Sequence, residues 1–230
     1  MSLIITNTIY SPSIITDGLV VWLDAANKKS YDGTGSVWYD LSDQHNDFSI
    51  YGSPTFHDTY FKLDGSITQY VQLSPFPHPT ANYTIELWER IDVFNNTPFY
   101  SYAVTSDSNE GLLYAPGGQI RVYGPAGYDV SSYTLEADKW VQIVRSRTAA
   151  NGSEKIYING QLIFHTTLAS GSATISNGSF NVGQEQDTPG GNFHPGQTLN
   201  GDISMIRVYN RNLSDNEVLK NFAAFRGRYQ

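Results

Sequence analysis

Leu199-Asn-Gly-Asp-Ile-Ser-Met-Ile-Arg-Val-Tyr-Asn-Arg-Asn-Leu-Ser-Asp-Asn-Glu-Val-Leu-Lys-Asn-Phe222 carries three signals in order. Asn200-Gly201-Asp202 reads as a tight turn, because Gly tolerates positive φ and Asn and Asp bond their own backbone. Ile203 to Tyr209 reads as a strand of β-branched and aromatic residues. Ser214-x-x-Glu217 has the form of a capping box and opens one short helix. Val218, Leu219, Phe222 and Phe225 recur at helical spacing, so one side of that helix should pack on a sheet.

Composition agrees with a strand-rich domain. The 230 residues suit one large β sandwich, and 16 Tyr, 11 Phe and 4 Trp are enough to fill its core. Twenty Gly and ten Pro supply many turns. A net charge of −8 argues against a nucleic-acid partner, which would want a basic footprint. The absence of cysteine removes disulfides, thiolate metal sites and a Cys nucleophile. No stretch approaches the ~20 apolar residues of a membrane span, and the first residues show no signal-peptide pattern. The expectation is a chain that folds and assembles in a cytoplasm without a secretion signal, with no membrane insertion.

Outward from the closing stretch, residues 1–16 form an apolar arm. It is either a first strand or a docking strand that adds to another subunit's sheet edge. Residues 17–230 form the sandwich. Asp17 to Asp24 is a strand with apolar residues on both faces. Pro75 to Pro79 reads as a surface connection. Tyr83 to Val93 alternates: Tyr83, Ile85, Leu87, Ile91 and Val93 share one face, and Thr84, Glu86, Trp88, Arg90 and Asp92 the other. Glu89 is a carboxylate on the apolar face and marks a bulge or the strand's exit from the core. Trp140 to Ser146 is a strand, and Asn159-Gly160 sits between strand-like runs as a hairpin turn. Gln184 to Thr198 is a long loop rich in Gly, Pro, Asp and Asn. The fold class is all-β: a jelly-roll sandwich of about 12–14 antiparallel strands with one short C-terminal helix.

The order of segments resembles the laminin-G-like branch of the concanavalin A-like lectin/glucanase superfamily. The matching pieces include Gly18-Leu-Val-Val-Trp-Leu-Asp24, Trp38-Tyr-Asp-Leu-Ser-Asp43, Phe61-Lys-Leu-Asp-Gly65 and Tyr83-Thr-Ile-Glu-Leu-Trp88. They continue with Trp140-Val-Gln-Ile-Val144, Lys155-Ile-Tyr-Ile-Asn-Gly160, Asn181-Val-Gly183 and the closing stretch. The resemblance implies a sandwich with one concave sheet. Its members bind sugars or proteins, often with Ca²⁺; others are hydrolases or structural modules. More narrowly, Asp17 to Tyr31 followed by Gly33-Thr-Gly-Ser-Val-Trp38 resembles the version found in structural proteins of tailed bacteriophages.

Three chemistries can be weighed on these residues. Retaining glycoside hydrolysis needs two carboxyls about 5–5.5 Å apart. Glu86 and Glu89 are three residues apart, so a regular strand points them to opposite faces and no pair forms. Calcium wants 6–8 oxygens. Asp107, Asn109 and Glu110 supply such groups in one loop; Gln184, Asp187 and Asn192 supply them in another. The resemblance implies that paired rim loops carry the ion. Asp64 and Asp202 form a second candidate, tying early and late strands together. Each set reads equally as ordinary turn chemistry. Sugar binding wants aromatic platforms, for which Trp88, Tyr100, Tyr102, Tyr114, Tyr123 and Tyr128 are the candidates; core packing is the competing reading. The expected function is a non-enzymatic virion surface protein of a tailed phage, decorating the capsid or built into a tail or fibre. Its partners would be other virion proteins through the arm, a host-surface glycan, and copies of itself. A free Ca²⁺-dependent lectin is the alternative, and a glycoside hydrolase of the same fold the minor one.

Overall fold

A computed structural model describes residues 13–125 and 127–229. The docking arm therefore falls almost wholly outside the described residues. Sixteen strands and one helix are present among them. In chain order these are β1 (Leu19–Asp24), β2 (Val37–Trp38), β3 (Phe48–Tyr51), β4 (Thr55–Phe56), β5 (Phe61–Asp64), β6 (Tyr70–Phe76), β7 (Asn82–Val93) and β8 (Asn96–Val104). Then come β9 (Asp107–Pro116), β10 (Gln119–Gly124), β11 (Gly127–Thr134), β12 (Trp140–Thr148), β13 (Ser153–Ile158), β14 (Gln161–Thr167), β15 (Gly178–Val182), β16 (Asn200–Tyr209) and α1 (Asp215–Tyr229).

Two eight-stranded antiparallel sheets face each other. The first runs β14-β13-β12-β7-β16-β5-β4, with β1 also paired to β16; the second runs β11-β10-β9-β8-β15-β6-β3-β2. The closing stretch is the hinge of the first sheet. On one side β16 pairs β7 throughout; on the other it pairs β5 through Asn200–Ile203 and β1 through Met205–Tyr209. The hand-over falls at Ser204, an extra residue in β16 opposite the Glu89–Trp88 step of β7. The bulge is thus beside Glu89, on the partner strand. Gly201 lets β7 come close: a Cβ there would lie 2.2 Å from the Arg90 carbonyl oxygen.

The core lies between the sheets. Tyr83, Ile85, Leu87 and Ile91 of β7 point into it, with Ile143, Phe180, Val182 and Ile206 among their neighbours. Helix α1 covers the outer face of the first sheet. Its capping box is in place: Glu217 Oε2 accepts from the Ser214 N–H at 2.8 Å, and Ser214 Oγ from the Glu217 N–H at 3.3 Å. Beneath it, Val218 packs on Val144, Tyr157 and Tyr209. The apolar spacing misses one contact, since Leu219 is exposed while Asn221 is buried. Asn221 Nδ2 donates to Glu86 Oε2 and Tyr209 Oη, so a polar residue is what joins helix to sheet.

Two further expectations are corrected. Pro75 lies inside β6 rather than in a surface connection, and the neighbouring Phe76 and His78 are buried. Two-residue strands such as β2 and β4 raise the strand number, because so short a piece shows no periodicity.

Candidate functional site

Loop 184–198 folds back over the outer face of the second sheet. Gly183, at φ 97°, turns the chain, and the loop's two arms then run together. The Glu185 N–H donates to the Gln197 carbonyl, and the Leu199 N–H to that of Gly183. Gln186 staples the loop down. Its Nε2 donates to the carbonyls of Ser101 and Ser179 at 3.0 and 2.9 Å, while its Oε1 accepts from the Gly190 N–H at 2.7 Å. Ser101 and Ser179 alternate with the core residues Tyr100, Tyr102 and Phe180, so their side chains face outward under the loop.

The loop tip borders a cleft of about 410 Å³. Pro189 forms one side; Thr105 and Ser106, the turn between β8 and β9, form another; Ser74 and the segment 175–178 complete it. That segment is fixed from below. The Tyr102 hydroxyl donates to the Ile175 carbonyl at 2.7 Å and accepts from the Gly178 N–H at 2.8 Å. Glu110 Oε1 accepts from the Ile175 N–H at 2.7 Å.

The electrostatics of the rim are unbalanced. Glu185 is buried and its Oε2 has no partner among the described residues. Burial, with the neighbouring Asp187 charge second, pushes its carboxyl up to about 7. In β9, Asn109 Oδ1 is likewise buried without a partner among the described residues, and burial raises Glu110, with Asp107 adding to the effect. Glu185 and Gln186 were absent from the sequence expectation. The run Gln184-Glu-Gln-Asp187 holds the signal: successive residues point opposite ways, so Gln186 staples while Glu185 and Asp187 stay together.

The expected metal residues are placed unevenly. Asp107 and Asn109 lie at the start of β9, and Asp187 is an exposed residue of loop 184–198. Asn192 is an exposed turn residue at φ 56°. Glu110 serves the cleft wall from behind. No three acidic or histidine side chains converge as a ready-made ion cage among the described residues. Asp64 and Asp202 do not form a joint site. Asp202 is fully buried against Arg90 and Lys62, which already supply its counter-charge, whereas Asp64 is exposed and caps the Ser66 N–H at 2.8 Å.

The aromatic candidates divide in half. Trp88 is covered by α1, stacked on Tyr229 at 4.2 Å and on Phe222 at 5.7 Å. Tyr100 is in the core, stacked on Phe180 and accepting from Arg145 Nη1 at 2.7 Å. Tyr102 is the core support described above. These three are buried and present no face to a ligand; the two tyrosine hydroxyls have partners, whereas the Trp88 Nε1–H has none among the described residues. Tyr114, Tyr123 and Tyr128 come together on the outer face of the second sheet. Glu86 and Glu89 point to opposite faces: Glu86 bonds Gln142, Arg207 and Asn221 beneath α1, and Glu89 is in the core.

Residues 63–219 match the family described as the concanavalin A-like lectin/glucanases superfamily. The chain belongs to that superfamily. The superfamily fold is shared with relatives of defined kinds. Rat C-reactive protein is 31% identical over 157 residues, which span 66% of this chain and 67% of that protein. A heptameric SAP-like pentraxin from Limulus polyphemus superposes with a TM-score of 0.58 at 18% identity, covering 75% of this chain and 79% of the other. Trypanosoma rangeli sialidase superposes with a TM-score of 0.69 at 17% identity, but the match takes in 92% of this chain and only 34% of the sialidase. At those identities the structures establish the fold alone. The phage-specific version of the resemblance is not shown by these comparisons; the C-reactive protein and the Limulus protein are pentraxins.

Proposed function

We propose that the chain is a non-enzymatic, lectin-like ligand-binding module that works through one Ca²⁺ at the rim cleft. The observation that carries it is the orphaned Glu185 Oε2 beside the Asp187 carboxylate. Two acidic side chains held together without a cation are what a bound dication relieves, and a donor set made only of oxygens suits calcium. Glu185 and Asp187 would hold the ion from the loop, with backbone carbonyls, water and the ligand itself filling the remaining positions. The ion would neutralise the rim and offer open coordination positions to hydroxyls or carboxylates of a ligand. The non-enzymatic half rests on Glu86 and Glu89, both buried and on opposite faces of β7.

Calcium titration tests this directly. Millimolar CaCl₂ should raise the melting temperature of the purified chain, EDTA should reverse the rise, and Asp187→Asn should abolish it. No shift with the wild-type chain would sink the calcium reading, and turnover of any polysaccharide would sink the non-enzymatic one.

The setting remains the one that the Asp17–Trp38 stretch supports: the surface of a tailed-phage particle, with a host glycan as the ligand. In that setting residues 1–16 dock the chain to a neighbouring subunit. Deleting residues 1–14 should then abolish incorporation into particles while leaving the melting temperature unchanged; normal incorporation would refute the docking role.

A further inference from the structure

A second surface on the same sheet face stands apart from the rim cleft. Strands β9, β10 and β11 bring Tyr114, Arg121, Tyr123 and Tyr128 to one patch. Arg121 pairs across from Tyr114, and Tyr123 across from Tyr128. The Tyr123 and Tyr128 rings stack with centroids 4.7 Å apart and planes 17° from parallel. Tyr114 meets Tyr123 at 5.6 Å. Tyr114 is itself buried, so the accessible aromatic surface is Tyr128, 53% exposed, with half-buried Tyr123 beside it.

Arg121 is the unusual member. Its guanidinium lies 5.9 Å from the Tyr114 ring centre and 6.0 Å from that of Tyr128. No carboxylate comes within ion-pair distance of it among the described residues, and its Nε is buried without a partner. The nearby acid Asp129 faces away and bonds Thr166 of β14. On a chain of net charge −8, a half-buried arginine left without a counter-ion beside stacked phenols is not explained by the fold.

We infer that this patch binds a carboxylated sugar residue. The flat phenol faces take the C–H face of a pyranose ring, and their hydroxyls reach its polar edge. The planar guanidinium matches a carboxylate in a bidentate fork, which a neutral sugar does not offer. An extended polyanion such as nucleic acid does not fit, because one arginine on an acidic surface supplies no basic track. Uronic and sialic acids both carry this carboxylate, and the choice of probe separates them. The patch is independent of the rim calcium, so its binding persists in EDTA.

The test is titration calorimetry of the full chain in EDTA. The probes are trigalacturonate, 3′-sialyllactose, and neutral lactose and galactotriose as controls. At least one acidic probe should bind about tenfold or more tightly than its neutral counterpart, the worth of one charge-assisted pair. Arg121→Gln should erase that preference and leave neutral binding unchanged. Tyr128→Ala, at an exposed position that folding does not need, should weaken acidic and neutral probes alike. Which acidic probe responds identifies the sugar class. Binding of neither acidic probe, a preference that survives Arg121→Gln, or loss of binding in EDTA would each overturn the inference. Failure of the calcium titration above would leave it standing.

Discussion

Glu89 sits on the inward side of β7 between Leu87 and Ile91, opposite Val141 of β12 and Ile203 of β16. Neither carboxyl oxygen has a partner among the described residues, and burial holds its pKa well above the usual carboxylate range. Burial therefore favours the neutral acid in the folded chain, whereas the unfolded chain gives up its proton in the ordinary carboxylate range. Because the folded pKa is the raised one, stability is full below about pH 4.5 and falls as pH climbs toward the folded pKa. Within that window each pH unit costs on the order of 1 kcal/mol, so the loss deepens until the folded pKa is reached. Leaving the polar atoms unpartnered costs a further ~1–3 kcal/mol at any pH. Glu89→Leu removes both penalties and adds about 1 kcal/mol of packing strain. The variant should gain ~0–2 kcal/mol over wild type at pH 4.5, the unpartnered atoms less the strain, and distinctly more at pH 7. Urea unfolding at pH 4.5, 6, 7 and 8 measures this, with the slope against denaturant unchanged. Glu89→Gln separates the two penalties: it keeps a polar group but no titration, so its difference from wild type should still grow with pH. Comparison with wild type cancels the other raised carboxyls, those of Glu110, Glu185 and Asp202. A Glu89→Leu chain that gains nothing, or gains equally at every pH, would show that Glu89 has a partner or is ionised in place.

Gly201→Ala should lose about 3 kcal/mol in urea unfolding, since its Cβ would sit 2.2 Å from the Arg90 carbonyl oxygen and backbone must move. Glu154→Gln should lose about 3–5 kcal/mol, because Arg145 and Arg147 are fully buried and share Glu154 as their carboxylate. Ser214→Ala should cost about 1 kcal/mol, seen as a lower melting temperature, through loss of the cap on the Glu217 N–H.

What could be read from residues alone was the chemistry that acts locally. The capping box at Ser214, the alternation of β7 and the Asn159-Gly160 turn each depend on residues within one element. Asn159 and Gly160 do take the positive φ values, 50° and 79°, that such a turn demands. What could not be read depended on pairing. Arg147 meets Glu154 only because β12 and β13 align those two residues. Nothing in the order of residues tells that both are sealed in the core. Trp88 looked like a platform because its strand face alternates with apolar residues; the helix that covers it arrives from more than a hundred residues later. The calcium candidates split for the same reason. Asp187 and Asp107 were legible as loop acids, but the pairing of Glu185 with Asp187 emerges only when the loop is folded back and stapled by Gln186.

The use of the two sheet faces then narrows where ligand contact can occur. The outer face of the first sheet is occupied: α1 lies on it, and Glu86, Gln142, Arg207 and Asn221 bond one another beneath. Arg207 also lies 4.8 Å from the Phe225 ring centre. A ligand there would have to displace the helix and leave a buried arginine and carboxylate without their packing. Among the described residues, the outer face of the second sheet carries no helix, and loop 184–198 closes its polar middle. The rim cleft lies at the tip of that loop, and the tyrosine patch lies toward the β11 edge beyond it. A ligand long enough to touch both would gain from each site only if the loop stays in place. Gln186→Ala, which frees the loop from Ser101 and Ser179, should therefore weaken calcium binding at the cleft while leaving the acidic-sugar preference at Arg121 intact. Equal loss at both would mean that the two surfaces form one site.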